Sequence, residues 1–426
     1  MDFSREKWMS VLRSIRTNHN RRLRKFLAAM PYVLLAAGVG VTGLSAVRLV
    51  QIAGSQKSQI AAELWSGDSG ITYRQITVIG RGQEQADRSV PLYLAQDLSL
   101  DETEIEAIHK NLDTTIKETL GVKGESGDTY GKKRTGGSDS SSDSTNSSDS
   151  SGDTEGRVWI DAYSSDAVTS VTRPKSDIKS ELTSNVTLTG VGGDFYLFHP
   201  FHMLSGAFID KDTLNSRQIV LDKDLSFSFF GTYESVGETV LLNGLEYTVV
   251  GVCDTSDTKI DNISYGDLSH AYVLFSELPS AASSDPSAAS TGTSPAGNAA
   301  TGMPGQENGT KPAVMCYEAV IPNRLRGIAL QNIKTALETS GKQSKDFLII
   351  ENTDRFSPIG LYNTVFPIGR TASLREGYNV PFWELSAETA ESVSVFWWIL
   401  LIAGTGSILT GGLSVYHASK KRISRV

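Results

Sequence analysis

The chain has 426 residues, of which 39% are hydrophobic and 21% are charged, and its formal net charge is −8. Basic residues gather near its two ends, whereas acidic residues dominate the part between them. This distribution is typical of an oriented membrane protein, and it argues against nucleic acid as a partner.

Two long apolar segments, 26–47 and 392–416, stand at opposite ends of the sequence. Each exceeds the roughly 20 residues that an α-helix needs to cross a bilayer. We therefore expect two transmembrane helices with a large domain between them. The first is expected to be an uncleaved anchor rather than a signal peptide, because its apolar core is longer than the usual ~7–15 residues and no convincing cleavage site follows it.

The flanking charges predict the orientation of both spans. Lys and Arg predominate in 1–25 and in the tail 417–426. Since such residues collect on the cytoplasmic side, both termini should be cytoplasmic and 48–391 should be exported from the cell membrane. The segment 1–25 also carries an apolar stripe at helical spacing, beginning at Trp8, as in an amphipathic helix on the inner leaflet. That helix would be either a docking surface or a simple topogenic anchor.

Aromatic and small residues mark the membrane segments further. Aromatic side chains are expected at the membrane interfaces, namely Trp8 on the inner side and Trp383, Phe396, Trp397 and Trp398 on the outer side. Small residues recur at helical spacing in both spans, which favours close packing of the helices with each other or with partner helices. They are Gly38, Thr42, Ala46, Ala403, Ser407 and Gly411.

The exported region is divided by two low-complexity segments, 124–156 and 279–312, which we expect to be disordered linkers. Elsewhere, periodicity predicts helices at 101–120, 223–230 and 325–339. It predicts strands at 71–79, 157–163, 185–191, 218–221, 238–242, 245–252, 271–275, 313–321 and 346–350. This order predicts a membrane-anchored α+β fold with two βαβ-like units and a mixed α/β lobe inserted at 210–278.

The segment 195–252 has the most specific local signals. Asn243-Gly244 between two apolar strands predicts a hairpin, because a type I′ turn needs positive φ at both central residues. Gly231 is predicted to cap the short helix, and Gly237 to let the chain turn into the hairpin.

This segment resembles the periplasmic core domain of MacB-type ABC transporter permeases, within the wider FtsX-like group. The resemblance rests on spaced matches at Leu204, Gly206, Phe208, 219–221, 229–231, 236–237, 243–244 and 249–252, the last of which includes Gly251. It implies two small lobes, one with ferredoxin-like βαβ units and one carried between its halves. It also implies a membrane component that works with a transport ATPase.

Two departures from the family pattern affect the expected function. The family normally has four transmembrane helices, whereas two are predicted here. The sequence contains no G-x-x-x-x-G-K-[ST] phosphate-binding loop. We therefore expect a separate ABC ATPase and other permease chains as partners, in a homo- or hetero-oligomer.

Candidates for chemistry are few. His199 and His202 have near-ligand spacing but no third clustered ligand, so packing is favoured over a metal site and no cofactor is expected. No G-x-S-x-G element occurs, and the chain is not expected to be an enzyme. Cys253 and Cys316, both exported, are either disulfide partners or two buried thiols, and the sequence leaves both readings open.

The leading hypothesis is a non-enzymatic, permease-like subunit of an ABC-type export or envelope-signalling complex. The alternative is a stand-alone membrane-anchored sensor or adaptor built on the same exported fold.

Overall fold

The computed structural model describes residues 3–67, 70–80, 99–120, 158–175, 180–209, 216–255, 259–278, 313–325, 327–358, 360–361, 378 and 380–423. The predicted linkers 124–156 and 279–312 lie outside the described residues. The chain forms two compact units. One contains the long helices at the two ends of the chain. The other is a domain made of Gln56–Arg355 and Thr364–Ala387.

The helices and strands have the following bounds. The helices are α1 (Phe3–Ser55), α2 (Ala61–Ser66), α3 (Glu102–Leu120), α4 (Phe195–Phe198), α5 (Lys223–Phe230), α6 (Lys259–Tyr265), α7 (Ile328–Thr339) and α8 (Phe382–Ile423). The strands are β1 (Tyr73–Ile79), β2 (Ile160–Arg173), β3 (Leu182–Gly193), β4 (His202–Gly206), β5 (Gln218–Asp222), β6 (Thr239–Leu242), β7 (Leu245–Asp254), β8 (Ser269–Leu274), β9 (Cys316–Pro322) and β10 (Leu348–Glu351).

The two long helices each contain a segment that is long and apolar enough to cross a membrane, Ala29–Ser55 in α1 and Phe382–His417 in α8. Both helices extend beyond the predicted spans. The predicted basic segment 1–25 and the first span are parts of one helix, because nothing in the sequence between them ends it.

The long helices contact each other at glycines, as the small residues predicted. A Cβ on Gly38 would lie 2.8 Å from the carbonyl oxygen of Gly404, and one on Gly411 would lie 2.9 Å from that of Pro31. Because glycine has no side chain, the backbones of the two helices can approach closely at these positions. Ala46 and Ala403, which also belong to the predicted stripes, are exposed in the single chain, and their packing against partner helices stays a prediction.

One half of the domain is built from two strand–helix–strand units, β1–α3–β2 and β9–α7–β10. Their strands lie in the order β10-β1-β9-β2 with every neighbouring pair antiparallel, which is the arrangement of split βαβ units. Helices α3 and α7 pack together on this sheet. The buried face of α3 is the predicted one, Ile105, Ile108, Leu112, Ile116 and Leu120.

The other half is a closed barrel. Strands β2, β3, β8, β5, β7 and β6 are hydrogen-bonded in this order, and β6 also pairs with β2. Closure removes the free edges that an open sheet would present. The barrel interior is filled by apolar side chains, among them Val171, Leu188, Ile219, Val240 and Val249, each fully buried.

The predicted inserted lobe 210–278 contains strands β5 to β8. Strands β5 to β8 complete a barrel that also needs β2 and β3. Strand β2 belongs to both halves, because its 14 residues pair with β9 near Ile160 and with β6 near Val171.

Candidate functional site

The chain enters and leaves the domain at two points that are joined by polar contacts. Gln56 directly follows α1, and its Nε2 donates to Ser386 Oγ, near the start of α8, at 3.3 Å. Ser386 in turn donates to Asp261 Oδ1 on α6. These bonds tie the two chain ends of the domain to each other and to the barrel side.

Next to them lies a buried ion pair. Arg355 Nη2 is 2.6 Å from Glu384 Oε1, and Arg355 Nη1 is 2.8 Å from Glu384 Oε2. The two side chains are only 2% and 1% exposed. Arg355 Nη1 also donates to Gln59 Oε1 at 3.3 Å. One hydrogen bond and one further short contact therefore join the two charges, which offsets their desolvation and fixes Glu384, in the first turn of α8, against the domain.

Polar side chains continue from Arg355 into the sheet. Arg355 donates to Asn352 Oδ1 at 3.4 Å, and Asn352 Nδ2 donates to Thr77 Oγ1 at 2.8 Å. Thr77 donates to Glu318 Oε1 at 3.1 Å, and Glu318 Oε2 lies 2.6 Å from His199 Nε2. All of these residues are buried. We name Glu384, Arg355, Asn352, Thr77, Glu318 and His199 the polar row.

His199, at the far end of the polar row, is enclosed by aromatic rings. Its ring centroid lies 4.4 Å from that of Phe195, 4.3 Å from that of Trp383 and 6.2 Å from that of Phe201. His199 thus combines one short polar contact, to Glu318, with tight packing against rings. Because Trp383 belongs to the first turn of α8, the start of this helix is held by packing as well as by charge.

The two candidate metal ligands do not come together. His199 is buried against Glu318, whereas His202 is exposed on β4. Across the described ranges, no group of three or more His, Cys, Asp or Glu side chains could hold a metal ion. The geometry assigns His199 a structural role.

A second polar centre, on the barrel side, surrounds Asp222. Its Oδ1 accepts from the Leu225 amide at 2.7 Å and so caps α5, and its Oδ2 accepts from the Tyr265 hydroxyl at 2.6 Å and from the His270 amide at 2.9 Å. Burial raises the pKa of the Asp222 carboxyl. Burial also lowers the pKa of His270 to about 4. This centre holds the helix and strand termini together.

The motif glycines occupy turns and close contacts. Positive φ angles occur at Gly206 (68°), Gly231 (74°), Gly237 (89°), Asn243 (51°) and Gly244 (79°). Residues 243 and 244 join β6 to β7, as a type I′ turn requires. At Gly251 a Cβ would overlap the carbonyl oxygen of Ala207. These positions shape the backbone and carry no reactive group.

Both cysteines are free in the structure. Cys253 lies on β7 and Cys316 on β9, and both are fully buried. The two strands are not neighbours in the sheet. Burial raises the pKa of each thiol well above its usual range, which keeps both thiols protonated and unreactive.

The expected interface position of Trp383 was wrong, because this side chain is buried in the domain against His199. The other tryptophans expected at membrane interfaces lie on the long helices, Trp8 on α1 and Trp397 and Trp398 on α8. Their depth in a bilayer remains a prediction.

These features define a class first: a membrane protein with two apolar helices and an extracytoplasmic α/β domain. Sequence comparison finds one family model that matches part of the chain. Residues 98–294 match the family model of the MacB-like periplasmic core domain. The resemblance inferred from the sequence is thereby confirmed over this part of the chain.

Two solved structures are similar to this chain. The periplasmic region of MacB from Actinobacillus actinomycetemcomitans is 15% identical, with 70% of this chain and 97% of that chain covered and a TM-score of 0.36. The extracellular domain of the noncanonic ABC-type transporter YknZ from Gram-positive bacteria is 14% identical, with 65% and 99% covered and a TM-score of 0.32. No curated protein sequence matches this chain.

Proposed function

We propose that this chain is a non-enzymatic, permease-like subunit of an ABC-type export or envelope-signalling complex. The family match over residues 98–294 supports a membrane component of ABC-transporter type. In this complex, the exported domain would contact a substrate or partner, and the membrane helices would couple that domain to a separate ATPase. Other permease chains would complete the complex, as a homo- or hetero-oligomer, with both termini of this chain cytoplasmic.

The observation that carries this proposal is the continuity of α8. A single helix runs from Phe382 to Ile423, and its first turn includes Glu384, which is bonded to Arg355 of the polar row. Because hydrogen bonds join each turn of an α-helix to the next, a displacement at one end of α8 would be passed along the helix. The polar row is then the place where the domain would receive or impose that displacement.

Photo-crosslinking of the full-length chain in native membranes tests the proposed partners. A photoreactive amino acid at Trp8 samples the basic cytoplasmic segment, and the same group at exposed Leu182 serves as the control on the exported domain. We expect position 8 to crosslink to an ABC ATPase and position 182 not to do so.

If position 8 crosslinks only to proteins outside any transporter, the coupling proposal fails and the stand-alone sensor is favoured instead. Crosslinking of the ATPase from position 182 would overturn the proposed orientation.

A further inference from the structure

Several large apolar side chains of the domain are exposed. Among the described residues of the domain, Leu325 is the most exposed of these side chains at 69%, and Leu64 follows at 61%. Both belong to a set of five exposed residues that we name the apolar rim: Leu64, Tyr196, Leu197, Leu325 and Leu385. A single exposed leucine is common on a protein surface. A group of exposed apolar side chains that includes the two most exposed ones instead indicates contact with another apolar surface.

Two members of the apolar rim are close to the membrane helices along the chain. Leu64 lies on α2, which begins at Ala61, six residues after α1 ends at Ser55. Six residues span at most ~20 Å. Leu385 lies on α8 itself, at its N-terminal end. Both therefore lie near the points where the chain passes into the membrane segments.

Strand register places Leu325 on the same edge of the sheet. The start of β1 pairs with the end of β9, Tyr73 opposite Pro322. Directly beyond this pair, the Asn323 amide donates to the Thr72 carbonyl at 2.7 Å. The loop that carries Leu325 is thus bonded to the segment between α2 and β1.

Helix α4 brings Tyr196 and Leu197 to this edge as well. It follows the end of β3, where Gly193 pairs with Ala162 near the start of β2. It also packs against the 3-10 turn Lys57–Gln59, which directly follows α1. All five members of the apolar rim therefore lie at the end of the domain where the chain enters and leaves it.

We propose that the apolar rim inserts into the headgroup region of the outer leaflet, so that the domain rests on lipid. The occupant follows from continuity with the two candidate membrane spans, since one ends at Ser55, nine residues before Leu64, and the other begins at Phe382, three residues before Leu385. Leucine and tyrosine side chains suit the boundary between headgroups and acyl chains. The proposal concerns lipid contact alone and does not depend on an ATPase partner.

Fluorescence quenching of the full chain in lipid nanodiscs tests this contact. Leu64→Cys and Leu325→Cys each receive a small environment-sensitive label, and the nanodiscs contain equal parts of phosphatidylethanolamine and phosphatidylglycerol with a lipid that carries a shallow nitroxide quencher. The matched control is Leu245→Cys, an exposed leucine beside the β6–β7 turn. Native Cys253 and Cys316 are fully buried, so the unsubstituted chain should take up no label.

We expect the nitroxide lipid to quench the labels at 64 and 325 much more than the label at 245, and aqueous iodide to quench in the opposite order. Equal lipid quenching at all three positions overturns the proposal, as does quenching at only one of the two rim positions. Protection from iodide without lipid quenching also overturns it, because a protein surface, such as a second copy of the chain, would then cover the rim.

Discussion

Arg355 and Glu384 are joined by two short contacts, 2.6 Å and 2.8 Å, at a place where neither side chain meets water. The pair connects the residues after β10 to the first turn of α8. The pair places one positive and one negative charge in the buried polar row, and the stability of the domain should depend on keeping both.

Arg355→Met removes the positive charge of the pair and leaves the Glu384 carboxylate buried without this guanidinium. Breaking a buried pair from one side costs about 3–5 kcal/mol. We expect a loss of that size in the free energy of unfolding, measured by denaturant titration of the full chain in detergent. The control is Lys117→Met, whose ion pair with Asp113 is largely exposed and is worth only ~0–1 kcal/mol. Equal losses in the two variants would contradict the assigned role.

Gly206→Ala should destabilise the barrel. The residue has φ +68°, and a Cβ there would overlap the carbonyl oxygen of Val250. The matched control is Gly231→Ala, which has a similar φ of +74° but no atom within 4 Å of the added carbon. The free energy of unfolding of the control should fall only by the ~1–2 kcal/mol that a left-handed backbone conformation costs a residue with a Cβ. A Gly206 variant no less stable than the Gly231 variant would show that the backbone shifts freely.

His270 should make the domain sensitive to acid. Burial lowers its pKa to about 4 from 6.5, so the unfolded chain binds a proton more readily than the folded chain does. Its contribution to stability is fully present above pH 6.5 and is lost as the pH falls to about 4, by roughly 3 kcal/mol. We expect His270→Phe to remove this part of the pH dependence of the unfolding free energy.

The matched control for that experiment is His202→Asn, which changes an exposed histidine and should leave the pH dependence intact. The pH profile of each variant must be compared with that of the unsubstituted chain, because Asp166 changes the stability in the opposite direction. Burial raises the pKa of its carboxyl to about 6, so its protonation as the pH falls stabilises the fold. An unchanged pH profile in the His270 variant would refute the prediction.

Gly38→Leu should separate the two membrane helices. The added side chain would meet the backbone of α8 at Gly404 and Ile408, whereas Gly40 has nothing within 4 Å of an added Cβ. We expect the melting temperature of the detergent-solubilised chain to fall for Gly38→Leu and to stay unchanged for Gly40→Leu. The same fall in both variants would mean that bulk in this helix, rather than its contact with α8, is responsible.

Patterns within a short stretch of sequence were enough to predict the helices and strands whose apolar side chains all face a single hydrophobic core. Helix α3 appears with its apolar stripe buried as its spacing predicted, and α5 has the predicted bounds. The Asn243-Gly244 turn was predictable because its backbone needs residues that tolerate positive φ. The membrane helices were visible from length and hydropathy alone.

Long-range pairing was not predictable in the same way. Closure of the barrel depends on two residue pairs between β2 and β6, Val171 with Leu242 and Thr172 with Leu241. No local signal marks them, since the second half of β2 is rich in Ser and Thr and lacks a clear apolar run. The polar row was missed for a related reason: Thr77 sits within an apolar strand, and only tertiary structure reveals that Asn352 and Glu318 are its partners.

The division of strands between the two halves also sets an order for folding during export. All six barrel strands lie between Ile160 and Leu274, so the barrel can close once that stretch has emerged on the far side of the membrane. The other half must wait, because Thr77 on β1 meets its partner Glu318 only 241 residues later. Domains generally fold in the order in which their parts become available. Strand β1 therefore emerges before both of its pairing partners, β9 and β10, and each of its edges can pair only when they follow.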